Sequence, residues 1–159
     1  MIATALPEST RDGWCTPSWL TDLLPEVDLD PCSNSRSTVR ARVSCSLERG
    51  EDGLKVPWLG LVFVNPPYSD VMPWAEKACW GNSAYCGFLV NVDSSTSWWR
   101  KLQERCPIGL FFSRRIQFVP PPGVQASTNS KAQALLMDER FWMACDARLS
   151  EHGTIWRRM

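Results

Sequence analysis

Asn65-Pro66-Pro67-Tyr68 places a carboxamide, two prolines and a phenol ring in four successive positions. It follows the apolar run Leu61-Val62-Phe63-Val64, which predicts a buried strand ending at the motif. A strand that brings these groups to its carboxyl edge can hold the exocyclic amine of a planar ring and turn its lone pair toward an electrophile. The side-chain oxygen of Asn65 is one acceptor, and the Pro66 carbonyl is a second. Proline fixes φ and has no N–H, so the turn is stiff and its carbonyls keep their direction. Tyr68 offers a ring face for stacking. Methylation of an amino group on a ring needs this arrangement.

The elements that must position the motif can be read on either side of it. Thr16-Pro17-Ser18-Trp19 predicts a helix start, with Thr16 as cap and Pro17 in the first turn, running to about Leu24 and stopping at Pro25. Val27-Asp28-Leu29-Asp30 predicts a short strand ending on an acid and broken by Pro31. Residues 33–42 are polar and basic, either a loop or a poor helix, and 43–47 predict a second strand. A helix is expected from Pro73, a strand over Tyr85 to Val92 and a helix over Trp98 to Cys106. Further strands are expected over Ile108 to Phe112 and Ala132 to Met137, with Arg115 to Val119 extending the first or starting another. The tail from Asp138 is ambiguous. Strands alternating with helices predict an α/β fold with a mostly parallel sheet, the late strands giving it an antiparallel edge. Ligands of such sheets bind beyond the carboxyl ends of the strands, where Asp30 and Asn65 would share one cleft.

Composition narrows the function classes. The chain has 159 residues, enough for one domain with a real core. Residues 1–13 are polar and expected to be flexible; 14–159 are expected to form a single domain. Seventeen basic and seventeen acidic residues cancel, which counts against gripping nucleic acid by bulk charge. Arginines nevertheless cluster at 36–42, at 100–115 and at 157–158, leaving room for a local basic face. Seven scattered cysteines without a C-x-x-C pair read as free thiols in a reducing cytoplasm. One histidine makes a zinc site improbable, so no metal is expected. No apolar run reaches membrane-span length, and Met1 to Ala5 has no secretory pattern. Cys32 abuts the turn after the first strand, but a small buried thiol suits it better than a nucleophile's role.

Together the motifs resemble the S-adenosylmethionine-dependent N6-adenine DNA methyltransferases, and most of all the compact Dam-type enzymes of bacteriophages and prophages. The resemblance runs from about Trp14 to Met137. It rests on Thr16-Pro17-Ser18-Trp19, Leu29-Asp30-Pro31-Cys32-Ser33-Asn34, Gly53-Leu54 with Pro57-Trp58, Asn65-Pro66-Pro67-Tyr68-Ser69 and Arg115-Ile116-Gln117-Phe118. It implies a Rossmann-like class I methyltransferase sheet with helices on both faces, S-adenosylmethionine as cofactor, DNA as partner and a bacterial host cytoplasm as location. Thr16-Pro17 matches the segment that folds over the methionine part of the cofactor. Asp30, with Pro31 and Cys32, matches the acidic end of the first strand. Asp52 stands where relatives place an acid for the cofactor's adenine, although Glu51 or Glu48 also fits that place. Asn65, Pro66, Pro67 and Tyr68 form the catalytic turn. Tyr68, Ser69, Arg114 and Arg115 are the expected nucleic-acid contacts. Two departures stand out. Cys32-Ser33-Asn34 replaces the usual glycine-rich loop, and no clear acid ends the second strand, Glu48 being nearest.

On this reading Asn65 and the Pro66 carbonyl hold both N–H groups of adenine N6, and the base is flipped from the duplex to reach them. No separate recognition domain is expected, only the loops 33–42, 69–73 and 120–131. That predicts short or relaxed target specificity and a homo-oligomer that enlarges the DNA surface. Methylation of an RNA base or a protein glutamine uses the same turn, and a module that binds DNA or a partner without turnover is the reading from another class.

Overall fold

The computed structural model describes residues 13–81, 83–126 and 129–159. The expectation of a flexible segment over residues 1–13 falls, apart from Gly13, outside the described residues. Seven strands form one sheet in the order β2-β1-β3-β4-β6-β5-β7. They are β1 Val27–Asp30, β2 Ala41–Ser44, β3 Gly60–Val64, β4 Ala84–Asn91, β5 Ile108–Phe112, β6 Gln133–Met137 and β7 Gly153–Arg157. The pairs β1–β2, β1–β3 and β3–β4 are parallel; β4–β6, β5–β6 and β5–β7 are antiparallel. Strands β1 to β5 therefore point one way, with β6 and β7 reversed. The carboxyl ends of β1, β2, β3, β4 and β5 fall along one edge.

Alternation along the central strands divides the core. Val62, Val64, Cys86, Phe88, Val90, Ala134 and Leu136 face one side of the sheet, with Trp74 and Ala75 of α2 (Met72–Cys79) and Trp99 and Leu102 of α3 (Ser97–Arg105). Phe63, Leu89, Leu135 and Met137 face the other, with Leu20 of α1 (Ser18–Thr21) and Phe141 of α4 (Glu139–Ala144). The expected arrangement, a Rossmann-like sheet with an antiparallel edge and helices on both faces, is present. The two crossovers flanking β2 carry no α-helix. Residues 31–40 pack instead against α1, through Thr21 Oγ1 and Thr38 Oγ1 at 2.8 Å and Arg40 Nη2 donating to the Leu24 carbonyl at 2.6 Å.

Three boundaries differ from the sequence expectation. Helix α1 ends at Thr21, not near Leu24, because the chain tightens to i→i+3 bonds, Leu23 N to Leu20 O and Leu24 N to Thr21 O, as it approaches Pro25, which disfavours helix just before itself. Strand β2 starts at Ala41, where Val27 N binds the Arg40 carbonyl and Val27 opposes Ala41. The tail resolves into α4, a 3-10 turn over Ala147–His152 and edge strand β7. Asp138 caps α4 by accepting from Phe141 N at 3.0 Å, and ties it to β4 by accepting from Cys86 N at 2.6 Å.

Candidate active site

The turns that follow β1, β2 and β3 open onto one cleft of about 820 Å³, within the size range of small-molecule and cofactor sites. Pro31 to Asn34 line it from the end of β1, Cys45 to Glu48 from the end of β2, and Asn65 to Tyr68 from the end of β3. The fold thus brings Pro31, Cys32, Asp52 and the whole Asn-Pro-Pro-Tyr turn to one wall system.

Strand β3 begins at Gly60, whose φ of 68° lies in the left-handed region and whose missing Cβ leaves space for the Asp28 carboxylate. Asp28 Oδ2 accepts from Leu61 N at 2.8 Å, setting the start of the strand against β1. At the other end the Asn65 amide nitrogen donates to Thr16 Oγ1 at 3.2 Å. Among the described residues no protein donor meets Asn65 Oδ1 or the Pro66 carbonyl, whereas the Pro67 carbonyl accepts from Asp70 N at 3.1 Å. Pro66 is buried and Asn65 half-buried. Tyr68 lines the cleft, its hydroxyl turned inward to the Leu89 carbonyl at 3.4 Å and its ring edge-on to Phe118, with centroids 6.0 Å apart. Burial pushes the Tyr68 phenol well up, so it stays neutral.

Asp30 is buried, at 3% exposure. Its carboxylate accepts from Cys32 N at 3.1 Å, and burial pushes its pKa from an ordinary 3.8 up to about 6 against the opposing hydrogen bonds from Cys32, Ser33 and Ser37. It lines a narrow crevice beside the main cleft, together with Thr16, Ser37 and Asn65. The glycine-poor turn after β1 is braced to β2: Ser33 N donates to the Cys45 carbonyl and Cys45 N to the Asp30 carbonyl, both at 2.9 Å. Burial raises the thiols of Cys32 and Cys45, which keeps both protonated and argues against a nucleophile there.

Beside the turn after β1, Gly53 packs so tightly on Pro31 that a Cβ would collide with the Pro31 carbonyl. The indole of buried Trp58 donates to the Gly53 carbonyl at 2.9 Å. These contacts fix Asp52, whose Oδ1 accepts from Leu54 N at 3.0 Å and whose Oδ2 lies 3.4 Å from Lys55 Nζ. Glu48 accepts from Ser35 N at 3.0 Å. Leu47, 78% exposed, and Leu54 supply apolar surface beside these two carboxylates.

The remaining expected residues are spread more widely. Thr16 sits at the crevice against Asn65, but Pro17 is buried at the start of α1 and lines neither cavity. Ser69 is exposed just past the Asn-Pro-Pro-Tyr turn. Arg114 and Arg115 are exposed beyond the carboxyl end of β5, on the same edge as Asn65 but outside the cleft wall. The cleft also takes in Trp14, Leu47, Trp74, Phe118 and Asn129, to which sequence reasoning gave no role. Only Phe118 carried a signal, as a member of a segment quoted for the resemblance; Trp14 merely opens the range over which the resemblance runs. Among the described residues no helix is long and apolar enough to cross a membrane, and no group of metal-ligating side chains gathers.

A seven-stranded sheet of this order with a cleft across its carboxyl edge is consistent with a Rossmann-like methyltransferase fold. The model of one family, DNA N-6-adenine-methyltransferase (Dam), matches residues 3–153, and the chain belongs to that family. No curated protein and no solved structure matches it. Membership implies DNA adenine-N6 methyltransferase activity with DNA as substrate, and methyltransferases generally use S-adenosylmethionine.

Proposed function

We propose that this chain transfers a methyl group from S-adenosylmethionine to N6 of an adenine flipped out of DNA and held by Asn65 to Tyr68. The observation that carries the reading is the pair of unsatisfied acceptors, Asn65 Oδ1 and the Pro66 carbonyl, at the carboxyl end of β3 on the wall of the cleft. Two acceptors at one turn match the two N–H groups of adenine N6. Because Thr16 engages the amide nitrogen, the oxygen is the end of the carboxamide left for the substrate.

The residues present fit the nucleoside portion of the cofactor. Asp52 and Glu48 supply acceptors for an amine and for ribose hydroxyls, and Leu47 and Leu54 supply apolar walls for a planar base. Bound there, S-adenosylmethionine supplies an electrophilic methyl group carried on sulfur. Pro31 and Cys32, at the end of β1, line the same cleft.

The chain's own contribution is orientation and electrostatics. Adenine N6 is a poor nucleophile because its lone pair is delocalised into the ring. Asn65 Oδ1 and the Pro66 carbonyl, accepting one N–H each, favour the pyramidal amine. Positive charge grows on that nitrogen during transfer, so fixed acceptor dipoles stabilise the transition state more than the ground state. The proton leaves afterwards, and no strong base is required. Extruding the base costs a few kcal/mol; stacking on Tyr68, at about 1–3 kcal/mol per base, offsets part of that. Arg114, Arg115 and Ser69 are the DNA contacts of this reading. Incubation with labelled S-adenosylmethionine and unmethylated DNA, with RNA and protein extract in parallel, tests the substrate class. Label in DNA alone supports it, and label in RNA or protein contradicts it.

A further inference from the structure

The segment after β5 is held more firmly than a surface loop. Ile116 and Phe118 are buried while Arg115, Gln117 and Val119 are exposed, the period-two pattern of an extended strip. Val119 exchanges both backbone hydrogen bonds with Cys15 at 2.9 Å. In the middle, Ile116 N donates to the side-chain Oε1 of Gln133 at 3.1 Å. Gln133 is 1% exposed, and its amide nitrogen donates to Asn91 Oδ1 at 2.9 Å and to the Lys131 carbonyl at 2.8 Å. One buried carboxamide thus pins the strip to the ends of β4 and β6.

The strip runs from the carboxyl end of β5 to the cleft, which Phe118 lines. It presents two outward side chains, Arg115 and Gln117, whose planar donor and acceptor groups are those that pair bidentately with guanine and adenine edges. Alternate residues of an extended strand lie about 6.6 Å apart, at about 3.3 Å per residue. That is close to two base steps of about 3.4 Å each along one DNA strand. Among the described residues, neither side chain is engaged in an ion pair or hydrogen bond.

We propose that Arg115 and Gln117 form the base-reading element of this enzyme, contacting a guanine and an adenine about two steps apart beside the flipped base. The proposal rests on the reading of the chain as a DNA methyltransferase. It gives this domain a means of choosing its target: a rigid extended ribbon in a groove. Arg114, at the bend before the strip, contacts phosphate and carries no sequence information.

The test is methylation of a DNA library randomised around adenine, sequenced for methylated sites, with wild type, Arg115→Ala, Gln117→Ala and Arg114→Ala proteins, each first checked for wild-type melting. Arg115→Ala is expected to lose preference for guanine at one fixed position, and Gln117→Ala for adenine at another, each by about ten- to a hundred-fold. Arg114→Ala is expected to weaken all sites alike. Unchanged site preference in both Arg115→Ala and Gln117→Ala overturns the proposal while leaving the activity standing. A wild-type protein that methylates no DNA removes the reading beneath it, and the proposal with it.

Discussion

At the scale of single residues, the contact between Asn65 and Thr16 gives Thr16 a task other than holding cofactor. A carboxamide left without a partner on its nitrogen is free to rotate, and a misaligned acceptor costs rate more than binding. Thr16→Val is expected to lower kcat by about ten-fold, the worth of one neutral hydrogen bond, with little change in KM for DNA, and Thr16→Ser to restore it. Equal losses in the two variants would assign Thr16 to packing. Asp30 makes a separate prediction. Its pKa stands at about 6 in the fold against an ordinary 3.8, so between those values the folded state binds more protons than the unfolded one. Stability therefore falls as pH rises through this window, and the penalty is complete above about pH 6, at about 3 kcal/mol. Asp30→Asn keeps an acceptor for Cys32 N and removes the charge. Its melting temperature is expected to rise relative to wild type between pH 4 and pH 7; parallel curves would show that Asp30 carries no such penalty.

At the scale of elements, the sheet depends on a few buried polar ties. Gln133→Leu strands Ile116 N and leaves Asn91 and the Lys131 carbonyl without their partner. It is expected to cost about 2–3 kcal/mol, read by urea unfolding, and to raise amide exchange at Ile116 specifically; a loss below about 0.5 kcal/mol would mean that water replaces Gln133. These ties also mark the limit of what the sequence discloses. Strands β3, β4, β5 and β6 are legible because each is a short apolar run bounded by turn residues, and the Asn-Pro-Pro-Tyr turn because its four residue types are seldom needed together. Strand β7 is not legible: it is an exposed edge strand with polar and apolar residues mixed, and only its pairing with β5 defines it. Likewise Leu47 and Trp14 join the site only because the chain folds them over the carboxyl edge. The partnership of Thr16 with Asn65 spans 49 positions and has no local signature. Pro17 lines neither cavity for a local reason: its ring is used to begin α1 and is buried there.

At the scale of the whole molecule, balanced charge leaves few cations for DNA. Arg42, Arg49, Lys55, Arg105, Arg148 and Arg157 are paired with acids of this chain, while Arg114, Arg115 and Lys131 stand exposed at the sheet edge where Asn65 lies. With about two phosphate contacts, from Arg114 and Lys131, the slope of log affinity against log salt is expected near −2. A slope near −8 would require a much larger basic face or several chains on one site. The cleft and the turn at its wall carry the central claim, and it is tested most directly by digesting DNA to nucleosides after incubation with S-adenosylmethionine and either wild type or Asn65→Ala. The account predicts N6-methyl-2′-deoxyadenosine with the wild type and a loss of about a hundred- to a thousand-fold with Asn65→Ala. Undiminished N6-methyladenine from Asn65→Ala, or a methyl group on any other atom, would contradict it.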